Sequence, residues 1–209
     1  MPTEILFLVN GIASLLGYNA LLTSLDYFNY VYKGYDVYSL FLPPVFAGYV
    51  VIVLSYRWLS YKFTYQKLVT TGLVISSISL VMFLLLSLTC RDAKGFGFGM
   101  SLISCFFLGI GSNLYQLTFF AEINYLSESV VSKFTIGTAL SGLFITVLRM
   151  IIVAIAGTND ELTFPIILYF IIAILFNVFT LFSNLTFFRS REYKNKIVPY
   201  LHHYKEEMT

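Results

Sequence analysis

The chain predicts an all-α integral membrane protein of six transmembrane helices, and three observations point there. Of its 209 residues, 58% are hydrophobic and 11% charged, against about a quarter charged in a soluble domain. The charges lie between apolar runs rather than along one face. Each run also reaches the ~20 residues that a helix rising ~1.5 Å per residue needs to cross ~30 Å of hydrocarbon. In lipid such runs are helical, because only a helix satisfies its backbone polar groups within one segment.

The spans fall near 5–30, 39–59, 68–89, 96–120, 134–156 and 162–188. The first begins with no Lys or Arg before it, so it reads as a retained span rather than a secretory signal. Breaks fall at "YKGYD", "SYRWLSYKFTYQK", "CRDAKG", "AEINYLSESVVSK" and "GTNDE", which hold most of the charges and several turn-forming residues. Residues 1–188 thus form the transmembrane domain and 189–209 a basic tail.

The basic residues orient the bundle. With the N-terminus inside, nine of the 13 Lys and Arg fall in inner loops and tail, three (Lys33, Arg91, Lys94) fall outside, and Arg149 lies within a span. Both termini are therefore expected in the cytoplasm. A net charge of +2 is too small for a nucleic-acid footprint.

Several chemistries drop out. Cys90 and Cys105 form neither a disulfide framework nor a metal spacing. His202 and His203 sit in the polar tail with no third ligand nearby, so no metal or cofactor is expected. Asn184-Leu185-Thr186 matches a glycosylation pattern at the end of an apolar span and reads as a chance match. No HExxH, membrane-depth histidine or paired carboxylate is present within a span, so an enzyme is not expected.

Polar groups at membrane depth carry the functional signal. The first span holds Tyr18, Asn19 and Asp26. In the fourth, Gly97, Ser101, Cys105, Gly109 and Asn113 recur every four residues, a stripe that admits a close neighbour helix. Asn113 and Gln116 should face protein or water, since an amide in lipid is costly. In the fifth span, Thr138, Gly142, Thr146 and Arg149 share a side, and Gly137, Ser141 and Gly142 permit close packing. An Arg at a helix centre costs at least about 2.5–3.5 kcal/mol on insertion scales, and Asp26 lies at a matching depth, so the two are expected to pair. Tyr18, Tyr27 and Tyr115 offer faces for a flat ligand. Two classes fit this pattern: a carrier whose polar residues line a path, or a non-transporting assembly or regulatory partner whose polar residues only hold helices together.

"LLGYNALLTSLDYF" resembles the first span of equilibrative nucleoside transporters. Asn19 stands at that family's asparagine, Tyr18 where Trp is usual and Gly17 where Pro is usual. "FLPPVF" resembles the start of the second span, and "FFRSREYKNK" the basic segment after the sixth. "GTALSGLFITVLRMI" resembles the fifth-span motif, with Gly137, Gly142 and Arg149 matching and Thr138 replacing a glutamine.

The resemblance implies a major-facilitator-like half bundle, alternating access, and nucleosides or nucleobases as substrates. It places Tyr18, Asn19, Leu22, Phe41, Pro44 and Thr138 around substrate. Asp26, Gly137, Gly142 and Arg149 are left to structural or gating roles. The plasma membrane is the expected location, with an internal membrane as the alternative. Family members carry a second bundle of spans beyond these six. The chain therefore reads as a fragment or truncated form, as a half that pairs with another half or a second copy, or as a relative that no longer transports.

Overall fold

A computed structural model describes residues 3–89, 94–123, 128–156, 163–190, 193–194 and 198. Cys90, His202, His203 and most of the basic tail lie outside the described residues. The helices are α1 (Thr3–Val31), α2 (Val37–Leu40), α3 (Leu42–Lys62), α4 (Tyr65–Thr89), α5 (Lys94–Ile123), α6 (Glu128–Ala156) and α7 (Thr163–Phe188). Among the described residues six segments are long and apolar enough to cross a membrane, with α2 and α3 together making the second.

Local chemistry sets the breaks. Gly34 adopts φ +104° just beyond α1, a conformation an L side chain rarely takes. Asp36 then caps α2, accepting from the Ser39 backbone N–H at 3.2 Å. The Ser39 hydroxyl and backbone N–H hold the exposed Asp36 carboxyl below its usual range. Pro43 and Pro44 sit in the first turn of α3, where a missing N–H costs nothing, since first-turn donors lack helical partners anyway. The expected second span is thus divided at Phe41. The fifth span starts earlier than expected, because "ESVVSK" continues the helix down to Glu128. Its charges end the apolar run without ending the helix.

The helices pair in a pattern that survives exchanging the first three spans with the last three. α1 packs on α6 as α5 packs on α3, and α4 packs on α5 as α7 packs on α1. The α4–α7 and α1–α5 contacts map onto themselves. Glycines make both cross-pairings close. A Cβ on Gly11 would strike the Phe134 carbonyl oxygen and one on Gly137 that of Leu8; on the other side, Gly48 meets Phe106 and Gly109 meets Val45 in the same way. In lipid such contact replaces the hydrophobic drive, because acyl chains are as apolar as leucine. The small-residue stripe of α5 is accordingly buried, from Gly97 through Ser101, Cys105 and Gly109 to Asn113.

Aromatic clusters close both ends. Phe28, Phe41, Phe83, Phe98 and Phe170 fill the end where α1 finishes, with ring centroids of 5.4 Å for Phe28–Phe41 and 5.9 Å for the stacked Phe83–Phe170. Phe7, Tyr65, Phe119, Phe134 and Phe188 fill the end where α1 begins.

Candidate functional site

α1 and α6 run parallel along one seam. Near its start, Ser129 Oγ donates to Glu4 Oε1 at 2.7 Å. The Gly11–Gly137 contact follows, then Asn19 Nδ2 donating to Ser141 Oγ at 3.0 Å. The seam ends at Arg149, whose Nη2 lies 2.5 Å from Asp26 Oδ2. The expected ion pair is therefore present. Tyr38 adds a third group, its hydroxyl donating to Asp26 Oδ1 at 2.8 Å, so each carboxylate oxygen has a donor. The Arg149 and Asp26 side chains remain 40% and 53% exposed.

Asn19 lies near the middle of α1 on its accessible stripe, with Leu15, Tyr18, Leu22 and Asp26 at helical spacing. Its Oδ1 has no protein partner among the described residues, so the amide retains an acceptor and one N–H beyond its bond to Ser141. Tyr18 lies on the α3 side of Asn19, its ring 6.5 Å from that of Phe46 in an edge-on arrangement. Gly142 leaves the space beside the amide open, since a Cβ there would stop 3.8 Å from Asn19 Nδ2. Thr138 sits one turn earlier on α6, half-buried, and its hydroxyl donates to the Thr135 carbonyl at 2.7 Å. Its lone pairs remain for an incoming donor.

Along the accessible stripe of α1, Tyr18 and Asn19 lie side by side, Asn19 meets Ser141 and Gly142 of α6, and two turns along Asp26 meets Arg149, while Thr138 is half-buried one turn before Gly142. Leu22 is half-buried against the aromatic cluster at the end where α1 finishes. Pro44 is half-buried in the first turn of α3. Phe41 lies elsewhere, fully buried between Phe28 and Phe98. Of the three tyrosines offered for stacking, Tyr18 alone is on this face, since Tyr27 and Tyr115 are buried.

Tyr115 instead belongs to a polar knot. Its hydroxyl donates to Asn10 Oδ1, which also accepts from Asn184 Nδ2 at 2.7 Å, tying α5 and α7 to α1. Asn184 is thereby a buried packing residue, consistent with a chance glycosylation match. Asn113 donates to the Tyr49 carbonyl at 2.8 Å, the protein partner expected of it. The Asn19–Ser141 bond has a weak signal in sequence, because a serine among glycines reads as packing. The knot left none beyond three polar residues in three apolar runs.

The fold and this seam define a six-span, α-helical, multi-pass integral membrane protein with polar groups gathered on one face. The Nucleoside transporter family profile matches residues 102–207, half of the chain, and the chain belongs to that family, one of transporters rather than enzymes. It is similar to Equilibrative nucleotide transporter 4 of Arabidopsis thaliana, 25% identical over 147 residues, covering 68% of this chain and 34% of that protein. Equilibrative nucleotide transporter 6 of the same plant is 26% identical over 152 residues, 70% of this chain and 35% of the relative. For Equilibrative nucleotide transporter 3 the figures are 28% over 156 residues, 72% and 36%. The chain thus spans roughly a third of the length of the curated relatives it matches. No solved structure matches it.

Proposed function

We propose that this chain forms one half of an equilibrative nucleoside or nucleobase carrier, and that Tyr18 and Asn19 contribute its half of the substrate site. The observation that carries the reading is their pairing at mid-depth on the accessible stripe of α1. A tyrosine ring stacks on a flat base at either face. The amide beside it both donates and accepts, as the edge of a purine or pyrimidine does. Thr138 and Gly142 border the same space from α6, and Leu22 packs one turn on. Phe41 and Pro44 complete the border from the second span only if α2 and α3 shift during the cycle.

Alternating access follows from the architecture this reading supplies: a rigid half rocks against a complementary half around a fixed central site. Asp26, Tyr38 and Arg149 then close the seam at one end, and Gly137 sets the spacing of α1 and α6. The complementary half comes from another chain, from a second copy, or from a longer form of the protein. A second reading, an assembly partner that does not itself transport, draws support from polar groups that serve to hold helices together, the Asn10–Tyr115–Asn184 knot and the Asn19–Ser141 bond.

Uptake of radiolabelled nucleoside decides between them, measured on the chain alone and with the complementary half of a relative. Uptake above background in either case supports the carrier, and none under any pairing supports the assembly partner. In a transporting arrangement, Asn19→Leu should abolish uptake while leaving surface expression unchanged. Unaltered uptake removes Asn19 from the site.

A further inference from the structure

α3 and α4 are joined by only Phe63 and Thr64, yet the two helices touch little beyond that turn. Each is committed to a different side of α5, α3 through Gly48 against Gly109 and α4 through Gly72 against Gly111. They splay, and a recess of about 560 Å³ opens around the first turns of α4, bounded across from α3 by the last turn of α7. Its floor is apolar, with Leu59, Phe63, Leu114 and Leu185 among the lining residues. Its rim carries Lys67 and Arg189, with Gln66, Thr70 and Thr71 beside them, and among the described residues no acidic side chain lines it.

Among the described residues neither cation has a carboxylate partner, and the ion pair of Asp26 with Arg149 lies at the opposite end of the bundle. The recess also sits at a membrane boundary. Trp58 is 59% exposed one helical turn before the end of α3, with the Lys62 ammonium 4.9 Å from its ring, and exposed tryptophans mark the headgroup level.

We propose that this recess is a binding site for one anionic phospholipid. The headgroup phosphate pairs with Lys67 and Arg189, and the glycerol and upper acyl chain lie on the apolar floor. Charge and shape argue together for that occupant. A free anion would use the cations and leave the floor wet, whereas a zwitterionic lipid would cover the floor and set its own ammonium against two more positive charges. The Lys and Arg bias of the loops places this end in the cytoplasmic leaflet, where anionic lipids concentrate.

The test reconstitutes the full chain in nanodiscs of phosphatidylcholine containing phosphatidylglycerol and counts retained lipids by native mass spectrometry. Phosphatidylglycerol should be retained in preference to phosphatidylcholine and should raise the melting temperature. K67Q/R189Q should cut that preference by about tenfold, the ratio set by 1.4 kcal/mol. Thr71→Trp, which fills the recess without touching charge, should also release the lipid, while K33Q/K94Q at the far end should not. Equal retention of the two lipids overturns the proposal, as does preference undiminished in K67Q/R189Q. Displacement of the lipid by inorganic phosphate alone also overturns it, by making the recess a site for soluble anions.

Discussion

The Asp26 carboxylate shows how far a single residue can be read from sequence. An acid and an arginine in apolar runs at matching depths have few ways to avoid lipid except each other, and the structure joins them at 2.5 Å. Tyr38 was not foreseeable as the third member, because its place depends on the short helix α2 turning it back over α1. Both charged side chains are about half exposed, so solvent screens the pair and its coupling should be on the order of 1 kcal/mol or less. Asp26→Arg alone or Arg149→Asp alone sets two like charges on the seam and should lower the detergent melting temperature. The double reversal should recover most of that loss. A double variant no more stable than the sum of the two singles would show that the pair does not couple α1 to α6. The Asn19–Ser141 bond was less legible than the ion pair, since a hydroxyl satisfies itself on its own helix so often that its sequence context says little. Ser14, Ser24 and Ser101 do just that.

At the scale of the helix, apolar length sets the number of spans, and local backbone chemistry sets their ends. Charges at the start of α6 looked like loop because hydropathy registers polarity, whereas backbone geometry registers only whether a turn is broken. At "YKGYD" polarity and backbone geometry agree, because Gly34 takes a positive φ in the turn just beyond α1. Glycine identity alone does not reveal which glycines matter. Gly109 and Gly99 lie ten residues apart on α5, yet a Cβ on Gly109 would strike the Val45 carbonyl oxygen while one on Gly99 would meet nothing within 4 Å. Gly109→Ala must push α3 from α5 and should cost about 1–3 kcal/mol, the usual penalty for overpacking. Gly99→Ala should be neutral or stabilising, because alanine is the better helix former. Melting curves of the two variants in one detergent give the comparison, and equal destabilisation would mean that the α3–α5 contact is not close.

Across the whole molecule, the exchange pattern of the helix pairs has a consequence for how the bundle holds together. The first three spans make few contacts among themselves: α1 touches α4 slightly, and α3 touches α4 little beyond their shared turn. Their extensive partners all lie in the second triplet, α6 and α7 for α1, α5 for α3, and both α5 and α7 for α4. The buried knot of Asn10, Tyr115 and Asn184 spans the same division. An isolated triplet would expose those amides and the glycine faces to lipid, where the polar groups lose partners worth several kcal/mol each. The two triplets are therefore interlocked rather than modular. Cutting the backbone between α4 and α5 and expressing the pieces together should give a complex that co-purifies in mild detergent, with each piece degraded when expressed alone. Asn10→Leu in the first piece should weaken that association, since it removes the acceptor that Tyr115 and Asn184 share. Stable accumulation of either triplet by itself would mean that contacts within it suffice, and the interlocked arrangement would be wrong.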